Sequence, residues 1–319
     1  MNRPVELSAI IAAHNPDAGR FMRTLEGLRA QTLPVAAWEL LVIDNASEPP
    51  VAGRFELGWN PAARVVREEN LGLTSARLRG FAEAAGRLIV LVDDDNVLPA
   101  GFLEGVLRIF ETQPQLGVVG GRVTPEFEEP PPAWTREFWG LLALHDHGER
   151  SLVQKGGAGA GWPKFAPVGA GLGVRRAALS LYLGALQRDP SRRHLDRRGT
   201  ALCSGGDNDL VFTILHGGWD VGYFPELQLT HLIPRGRLAP GYLARLNEGI
   251  MRTWVRVLAL HGQCPWPAIP RWTVPLRSAR AWWRSRAWRS PAHRIRWRGH
   301  VGQFLGQADL RLQPSHSRA

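Results

Sequence analysis

The sequence predicts an α/β protein in which helices flank a mostly parallel sheet. Two observations carry this prediction. Short apolar runs without polar alternation, such as residues 40–43 and 88–92, are typical of strands that are buried on both faces of a parallel sheet. Along the chain these runs alternate with amphipathic segments of about 10–15 residues, which is the pattern of repeated strand–helix–strand units.

The predicted elements follow one another in a regular order as far as residue 124. Strands are predicted at 7–12, 40–43, 64–67, 88–92 and 118–123, and helices at 18–31, 74–85 and 102–112. Residues 125–168 mix acidic, proline-rich and glycine-rich stretches with aromatic side chains, so we expect a long substrate-facing loop. The later predicted elements are a strand or turn at 168–174, a helix at 176–186, an exposed charged segment at 187–198, a helix ending at His216, and strands at 220–224 and 227–231.

Composition excludes several classes of protein. A chain of 319 residues with 44% hydrophobic content can bury a full core. Its apolar runs are far shorter than the roughly 20 residues needed to span a bilayer, and residues 1–20 lack the pattern of a signal peptide. Cys203 and Cys264 are far apart in sequence, which argues against a disulfide framework and a zinc site. We therefore expect a cytoplasmic protein.

The net charge of +10 lies in the C-terminal segment. Residues 265–319 contain eleven arginines and one acid, Asp309, together with six of the thirteen tryptophans. Arginine and aromatic side chains can stack on bases, but basic segments with tryptophan also lie on anionic membranes. We favour a membrane surface over nucleic acid, which would place the protein on the inner face of the cell membrane.

Three consecutive carboxylates, Asp93, Asp94 and Asp95, follow the apolar run 88–92. They would repel one another without a cation, and ligands of open α/β sheets bind beyond the carboxyl ends of the strands. Mg²⁺ is typically held by one or two carboxylates together with substrate phosphates. The pattern predicts a site for a divalent metal and a diphosphate. An acidic turn that caps the next helix is the alternative.

A second acidic stretch, Asp207-Asn208-Asp209, opens the predicted helix that ends at His216. One interpretation is structural: Asp207 or Asn208 is the N-cap, and Asp209 is favoured in the first turn by the helix dipole. The other interpretation is a reacting carboxylate. The local sequence leaves both open.

Five motifs, in this order, resemble inverting glycosyltransferases of family 2, of the bacterial polysaccharide type, from about Glu6 to Leu238. They are Ser8–Asn15, Leu41–Ser47, Asn70–Gly72 with Ala76-Arg77, Asp93–Asp95, and Gly205–Leu210 with Gly217–Trp219 and Thr230-His231. The resemblance implies a Rossmann-like GT-A fold with an acceptor-side subregion and a helical basic tail. It also implies inverting transfer of a sugar from a nucleotide-diphospho-sugar to a hydroxyl of a glycan or lipid-linked glycan, assisted by Mn²⁺ or Mg²⁺.

The resemblance also implies roles for individual residues. Asp95 is the direct metal ligand, Asp93 lies towards the ribose and the metal's water shell, and His231 completes the coordination. Asp207 is the base that deprotonates the acceptor hydroxyl. The implied nucleotide-sugar contacts are Ala12, His14, Asn15, Asp44, Asn45, Asn70, Arg77, Asp93 and Asp94, and the implied acceptor-side residues are Gly171, Trp162 and Asp209.

Structural interpretations stay open for several of these residues. His231 can be a buried histidine after a strand, Arg77 can lie on a solvated helix face, and the segment 169–173 can serve core packing. Two departures from the family pattern also matter. Gly206 stands where the family usually has a glutamate before the base, and Asn45 stands where a second aspartate is frequent. An amide can both donate and accept hydrogen bonds, so UDP, dTDP and GDP all remain candidate donor nucleotides.

On this interpretation residues 1–238 form the glycosyltransferase domain, with a nucleotide-binding half (1–124) and an acceptor half (125–238). A helix at 239–264 and an Arg/Trp-rich tail at 265–319 follow. A nucleotidyltransferase is an alternative, but residues 11–19 lack the basic residue expected in a triphosphate loop. The remaining alternative is a basic protein that binds nucleic acid or membranes and has a degenerate glycosyltransferase fold.

Overall fold

A computed structural model describes residues 5–199 and 201–311. The strands are β1 Leu7–Ala13, β2 Trp38–Asn45, β3 Arg64–Glu68, β4 Leu88–Asp93, β5 Asn96–Val97, β6 Leu116–Gly120, β7 Val123–Phe127, β8 Leu152–Gln154, β9 Gly173–Arg175, β10 Asp220–Tyr223 and β11 Leu229–Ile233. The helices are α1 Ala18–Arg29, α2 Leu73–Glu83, α3 Phe102–Thr112, α4 Arg176–Arg188, α5 Gly206–His216, α6 Pro240–Leu260, α7 Val274–Arg284 and α8 Pro291–Asp309. Residues 1–4, 200 and 312–319, which the predicted domain and tail include, lie outside the described residues.

The central sheet has eight strands in the order β3-β2-β1-β4-β9-β6-β10-β8. Six of its strands are parallel to one another, and only β9 and β8 run antiparallel to their neighbours. The prediction of a mostly parallel sheet flanked by helices is therefore confirmed. The order reverses direction at β1 and β4, and their carboxyl ends lie where ligands of such sheets bind.

Both faces of the central sheet are covered by helices, which explains why its strands show no polar alternation. Ala9 and Ile11 of β1 belong to a core with side chains of α1 and α3. Ile10, which points to the opposite face, belongs to a second core with side chains of α2, α4 and α5. Apolar residues are therefore required at nearly every position of the strand.

One predicted strand, Val118–Val123, is wrong, because the structure divides it between two sheets. β6 ends at Gly120 in the central sheet, and β7 begins at Val123 in a three-stranded sheet of order β5-β11-β7. A β-carbon on Gly121 would collide with the carbonyl oxygens of Phe224 and Leu227. Only glycine allows so close an approach of two backbones, so the chain changes sheets there.

Two segments that the sequence predicts as irregular are more ordered than expected. The predicted loop 125–168 contains the end of β7, a 3₁₀ helix at Ala133–Leu142, and β8. The charged segment 187–198, predicted to be exposed, buries Leu195 completely and Asp196 almost completely. Because these two residues lie among arginines, the sequence pattern does not indicate that they are buried.

The described chain forms two compact units. The first comprises residues 5–128, 143–194 and 207–233 and contains both sheets. The second comprises residues 129–142, 195–199, 201–206 and 234–311 and contains α6, α7 and α8. The sequence predicts domain boundaries after residues 238 and 264, and these boundaries remain a prediction.

Within the second unit, α6 and α8 approach each other closely through glycine. Gly299, Gly302 and Gly306 of α8 lie at helical spacing, and a β-carbon on any of them would press against residues of α6. The predicted tail is therefore folded into helices as far as it is described.

Among the helices between residues 5 and 311, none is both long enough and apolar enough to cross a bilayer.

Candidate active site

The carboxyl ends of β1, β2, β3 and β4 lie side by side at one edge of the central sheet. The strand register pairs Ala12 with Asp93, Ala13 with Asp44, and Asn45 with Glu68. The residues predicted to bind the nucleotide-sugar donor on these strands and the loops after them are therefore brought to one edge. Sequence order alone could not show which strands are neighbours.

The loops after β1 and β2 are joined by hydrogen bonds. The His14 ring nitrogen Nδ1 donates to the carbonyl oxygen of Asn45 at 2.7 Å. The backbone N–H of Asn15 donates to Ser47 Oγ at 2.9 Å, and the backbone N–H of Glu48 donates to Asn15 Oδ1 at 2.8 Å. His14 and Asn15 remain exposed at the surface of this loop pair. They are therefore available to contact a ligand.

These two loops also contain strained backbone. Asn15 has a φ of 49° and Ala46 a φ of 54°, both in the left-handed region. For alanine this conformation costs about 1–2 kcal/mol, because the β-carbon approaches the following carbonyl oxygen. Such strain persists where surrounding contacts impose it, and it occurs frequently at ligand sites. The hydrogen bonds between the two loops are contacts of that kind.

The side chain of Asn45 is buried and fully engaged by the protein. Its Nδ2 donates to the carbonyl oxygens of Glu68 and Asn70, at 3.1 and 2.9 Å, and its Oδ1 accepts from the backbone N–H of Gly72 at 2.8 Å. The amide therefore shapes the loop between β3 and α2. Both amide hydrogens thus already have acceptors within the protein, and the contact of Asn45 with a nucleotide-sugar remains a prediction.

Asp44 is likewise buried and bound within the protein. Its carboxylate accepts hydrogen bonds from the backbone N–H groups of Ser47 and Val51, each at 3.0 Å, and from Arg67 Nη1 at 2.8 Å. Burial by itself would raise the pKa of Asp44, but the hydrogen bonds from Ser47, Val51 and Arg67 outweigh it and lower the pKa below its usual value. Asp44 organises the loop after β2, and Arg67 is a partner that the sequence interpretation missed.

The structure brings Asp95 and His231 together from different parts of the chain. β5 pairs with β11, which places Asn96 opposite His231, and the backbone N–H of Leu232 donates to the Asp95 carbonyl oxygen at 2.9 Å. His231 Nε2 lies 3.3 Å from Asp95 Oδ1. Asp95 is 5% exposed and His231 is 3% exposed. The two side chains are thus adjacent in an almost dry environment.

The chemistry of this pair fits a divalent metal. Within residues 5–199 and 201–311, neither ring nitrogen of His231 makes a hydrogen bond, although both are buried. An unsatisfied buried nitrogen costs about 1–3 kcal/mol, which coordination to a metal would remove. A spacing near 3 Å is also what two adjacent ligands of an octahedral ion with bonds of about 2.1 Å would show. The interpretation of His231 as an ordinary buried histidine leaves its nitrogens unexplained.

Asp93 is not grouped with these two residues. It ends β4, and its backbone N–H donates to Asn96 Oδ1 at 3.1 Å across the turn. The part of the chain that the structure describes holds no cluster of three or more histidine, cysteine, aspartate or glutamate side chains suited to a metal. A metal bound by Asp95 and His231 would therefore take its other ligands from water or from substrate phosphates.

Asp207 lies in the first turn of α5, and its carboxylate is held in a defined orientation. Oδ2 accepts from the backbone N–H of Gly169 at 2.8 Å, and Oδ1 accepts from the backbone N–H of Asn208 at 2.9 Å. The segment that contains Gly169 is itself attached to β4, because the backbone N–H of Gly171 donates to the Leu91 carbonyl oxygen at 3.0 Å. A chain of hydrogen bonds thus connects Asp207 to the strand that ends at Asp93.

Gly169 also brings Arg77 into this region. A β-carbon on Gly169 would collide with the Arg77 guanidinium and would lie 3.2 Å from Asp207 Oδ2. Arg77 is only 8% exposed, which excludes the interpretation as a solvated helix face. Because Gly169 has no side chain, the buried Arg77 and the candidate base Asp207 can both lie close to its backbone. The sequence named Gly169 only as part of the segment 169–173, whose role it left open.

Two of the predicted acceptor-side residues have structural roles instead. Gly171 has a φ of 69°, and a β-carbon there would contact Leu229 and Phe102, so it serves core packing. Asp209 is completely buried, and its Oδ1 accepts from Arg192 Nη1 at 2.6 Å. A carboxylate without solvent exposure and with an arginine partner stabilises the fold and is closed to an acceptor.

Trp162, the third predicted acceptor-side residue, is half-buried. Its ring lies 4.6 Å from that of Phe212 of α5, with 43° between the ring planes. The same residue packs against the core beneath α2, α4 and α5. Its contact with an acceptor remains a prediction.

The departure from the family pattern at Gly206 has a structural explanation. The carboxylate of Asp196 is 5% exposed, and its Oδ1 accepts from the backbone N–H groups of Gly206 at 2.8 Å and Gly205 at 3.3 Å. A β-carbon on Gly206 would collide with this carboxylate. An acidic group thus occupies the place of the missing side chain, and it comes from a different segment. No local motif could have found it, because Asp196 lies among arginines ten residues earlier.

Restoring the usual glutamate, with Gly206→Glu, should destabilise the protein by about 1–3 kcal/mol, because the new side chain and the Asp196 carboxylate compete for one buried space. The double variant Gly206→Glu with Asp196→Ala should recover most of this loss, which urea denaturation would measure. Gly206→Ala is the control for the β-carbon alone. The competition between these two groups would be refuted if the double variant lost as much unfolding free energy as the two single variants lose together.

The lowered pKa of Asp44 predicts a pH-dependent stability. The folded pKa lies below the ordinary value of 3.8, so the stabilisation is complete above that value and is lost as the pH falls through the folded pKa. Asp44→Asn should therefore be less stable than the native sequence by about 2 kcal/mol at pH 7, and the difference should narrow below pH 3.8. Denaturation at both pH values tests this, with the exposed Glu26→Gln as control. A difference that is equal at both values would contradict it.

Parts of this chain are similar in sequence to known glycosyltransferases. The chain is 30% identical over 128 residues to glycosyltransferase AglE of Haloferax volcanii, which covers 39% of this chain and 40% of that protein. It is 26% identical over 132 residues to the glucosyl-dolichyl phosphate glucuronosyltransferase of the same organism, covering 40% of this chain and 41% of that protein. The chain thus spans about two fifths of these curated relatives.

A solved structure shows the same fold. The crystal structure of GalNAc-T7 with UDP, GalNAc and Mn²⁺ superposes with a TM-score of 0.54 over 88% of this chain and 51% of that chain, at 15% identity. This similarity confirms the GT-A type of α/β fold. Residues 8–181, more than half of the chain, match the family described as Glycosyl transferase family 2. The chain belongs to glycosyl transferase family 2.

Proposed function

We propose that this protein transfers a sugar from a nucleotide-diphospho-sugar to a hydroxyl acceptor, with inversion at the anomeric carbon and with assistance from Mn²⁺ or Mg²⁺. The observation that carries the proposal is the pairing of buried Asp95 with His231 beyond the carboxyl end of β4. Neither ring nitrogen of His231 makes a hydrogen bond among the described residues. A second carboxylate, Asp207, is connected by hydrogen bonds to the same strand. Because the two carboxylates have different environments, Asp95 is suited to binding a metal and Asp207 to accepting a proton.

Asp207 is the proposed general base. Its carboxylate takes the proton of the acceptor hydroxyl while the acceptor oxygen forms a bond to the anomeric carbon. The bond between that carbon and the diphosphate oxygen breaks on the opposite side, so the configuration inverts and the nucleoside diphosphate leaves. The hydrogen bonds from Gly169 and Asn208 hold the carboxylate in one orientation before the acceptor arrives.

Asp95 and His231 are the proposed metal ligands, with Asp93 and Asp94 in the adjacent turn. When bound, the ion would neutralise charge on the diphosphate leaving group. Arg77, which lies beside Gly169, supplies a further positive charge in the same region. These groups would favour departure of the diphosphate without any proton transfer.

The loops after β1, β2 and β3 are the proposed nucleotide site. Since the Asn45 amide and the Asp44 carboxylate are occupied within the protein, the donor is left to exposed groups such as His14, Asn15 and Asn70. UDP, dTDP and GDP sugars all remain candidates. The name of the glucosyl-dolichyl phosphate relative supports a glycan or lipid-linked acceptor, as in polysaccharide biosynthesis at the cytoplasmic face of a membrane.

A thermal-shift screen tests the class of ligand directly. UDP-, dTDP- and GDP-sugars are each measured with Mn²⁺ and with EDTA. We expect at least one sugar nucleotide to raise the melting temperature in the presence of the metal and to lose this effect in EDTA, because ligands stabilise the state they bind. If none of the donors shifts the transition under either condition, the proposed function is wrong.

The variant Asp207→Asn tests the base. Transfer should fall by roughly 10²- to 10⁴-fold, because the amide cannot accept the proton, while donor affinity measured by calorimetry stays unchanged. Asp209→Asn is the contrasting variant two positions along the same helix. It should lower stability rather than turnover, because Asp209 is buried against Arg192. Transfer by Asp207→Asn within about threefold of the native rate would assign the base to another residue.

The variant His231→Phe tests the metal site with a readout other than activity. In the absence of metal, the melting temperature should be retained or raised, because the lost ring nitrogens make no hydrogen bonds with described residues. The shift produced by Mn²⁺ should disappear in this variant and in Asp95→Asn. A Mn²⁺ shift that persists in both variants would place the metal elsewhere.

A further inference from the structure

The second unit presents an unusual concentration of apolar side chains to solvent. Seven large hydrophobic side chains are exposed among the described residues, and four of them lie between positions 272 and 288. They are Trp272 at 74%, Leu276 at 68%, Trp283 at 70% and Trp288 at 49% exposure. Single exposed apolar residues are ordinary, but a cluster with three tryptophans marks an interaction surface.

Three of these side chains share one side of α7 and of the 3₁₀ turn before it. Leu276 and Trp283 are seven residues apart, and Trp272 precedes Leu276 by four, which places them on one helical stripe. Val274 and Ala281, also seven residues apart, are buried on the opposite side. The helix therefore has two apolar faces, and only one of them is covered by the protein.

The covered side of α7 is anchored to α8. The rings of Trp282 and Trp297 meet edge to face at 4.8 Å, and Trp297 Nε1 donates to the Ser278 carbonyl oxygen at 2.9 Å. Trp282 thus packs inward, whereas Trp283 and Trp288 face solvent, with their ring centroids 5.1 Å apart.

Exposed arginines border the apolar stripe. They are Arg271, Arg277, Arg280, Arg284, Arg286 and Arg289. Across the described residues, none of these six forms an ion pair with a carboxylate, and no acid occurs in sequence from 265 to 308. By contrast, Arg296 and Arg298 of α8 pair with Glu137 and Glu248 within the second unit. The six positive charges are therefore available to an anionic partner.

An anionic bilayer surface matches both properties. Tryptophan and leucine enter the boundary between headgroups and acyl chains, where the indole keeps its polar edge hydrated. Guanidinium groups beside them meet lipid phosphates, and each contributes favourably within a Debye length of the membrane. α7 has eleven residues, so it suits a helix that lies in the plane of the interface.

Single-stranded nucleic acid fits this surface less well. Base recognition of that kind needs aromatic faces on which successive bases stack. Here Leu276 lies in the middle of the stripe and offers no ring, and Trp283 and Trp288 are engaged edge to face with each other at 66° between ring planes. The arrangement favours insertion into a soft apolar layer over stacking.

We propose that the face formed by Trp272, Leu276, Trp283 and Trp288, with the six arginines beside it, is a binding surface for anionic lipid bilayers. The proposal goes beyond the sugar-transfer reaction and needs neither donor nor metal. Its failure would leave the proposed function untouched, and the reverse also holds.

The test uses the full chain with vesicles of phosphatidylcholine alone and of phosphatidylcholine mixed with phosphatidylglycerol. Deleting the tail is unsuitable, because α8 packs on α6 and its loss would expose a core face. Co-sedimentation should show binding to the mixed vesicles at low ionic strength and its weakening by salt. Tryptophan emission should shift to shorter wavelength on binding.

Two triple variants separate the two contributions. Arg277→Gln with Arg280→Gln and Arg284→Gln should weaken partitioning on the order of 100-fold, because each charge contributes about fivefold. Trp272→Ala with Leu276→Ala and Trp283→Ala should weaken it at least as strongly, since three membrane-inserting side chains are removed. All six side chains are exposed, so the melting temperature should stay near that of the native protein.

Matched controls come from exposed positions of the first unit. Arg29→Gln with Arg108→Gln and Arg188→Gln removes the same charge, and Met22→Ala with Val35→Ala removes exposed apolar groups. Both controls should bind mixed vesicles like the native protein. The proposal is overturned if the charge variant and its control weaken binding equally, or if neutral vesicles bind as well as anionic ones. Tighter binding to single-stranded RNA than to vesicles, or self-association that the tryptophan variant abolishes, would also overturn it.

Discussion

The pairing of β5 with β11 is the constraint on which the candidate site depends. β5 is only two residues long, but it directly follows the acidic turn after β4, and its partner strand belongs to a segment more than 130 positions later. The backbone hydrogen bond from Leu232 to Asp95 fixes the register, and the register places His231 against the last aspartate of the turn. Had the pairing slipped by one residue, the imidazole would face the other side of the strand.

Space left by glycine is the second recurring element. Gly121 lets the chain cross from one sheet to the other, Gly169 admits Arg77 and Asp207 to a shared position, and Gly206 accommodates the carboxylate of Asp196. In each case the neighbour is a carbonyl group or a charged side chain that must come close to backbone. An alanine would force that neighbour to move, so the glycines define where polar groups can converge.

Several polar side chains near the candidate site act on the protein itself. Asp44 and Asn45 hold the loops after β2 and β3, and Asp209 is buried against Arg192. Each resembles a ligand-binding residue in sequence, because motif comparison sees the residue type and not its partners. Other polar groups at the same edge, such as His14 and Asn15, remain exposed. In the second unit Trp282 and Trp283 are neighbours in sequence but have different partners, because Trp282 packs on Trp297 and the exposed Trp283 contacts Trp288.

The sequence by itself determined strands β1 to β4, helices α1 to α3, the order of the motifs and the mostly parallel sheet. These depend on local apolar periodicity and on short polar stretches at strand ends, as at Leu88–Asp93. The family resemblance already implied that Asp95 and His231 act together, and the structure places them 3.3 Å apart. Only the tertiary structure decided that Asp196 occupies the space left at Gly206 and that Gly169 orients Asp207. It also decided that 118–123 belongs to two sheets. The physical reason is that these outcomes depend on backbone pairing and close approach between distant segments, which leave no periodic signal in the local sequence.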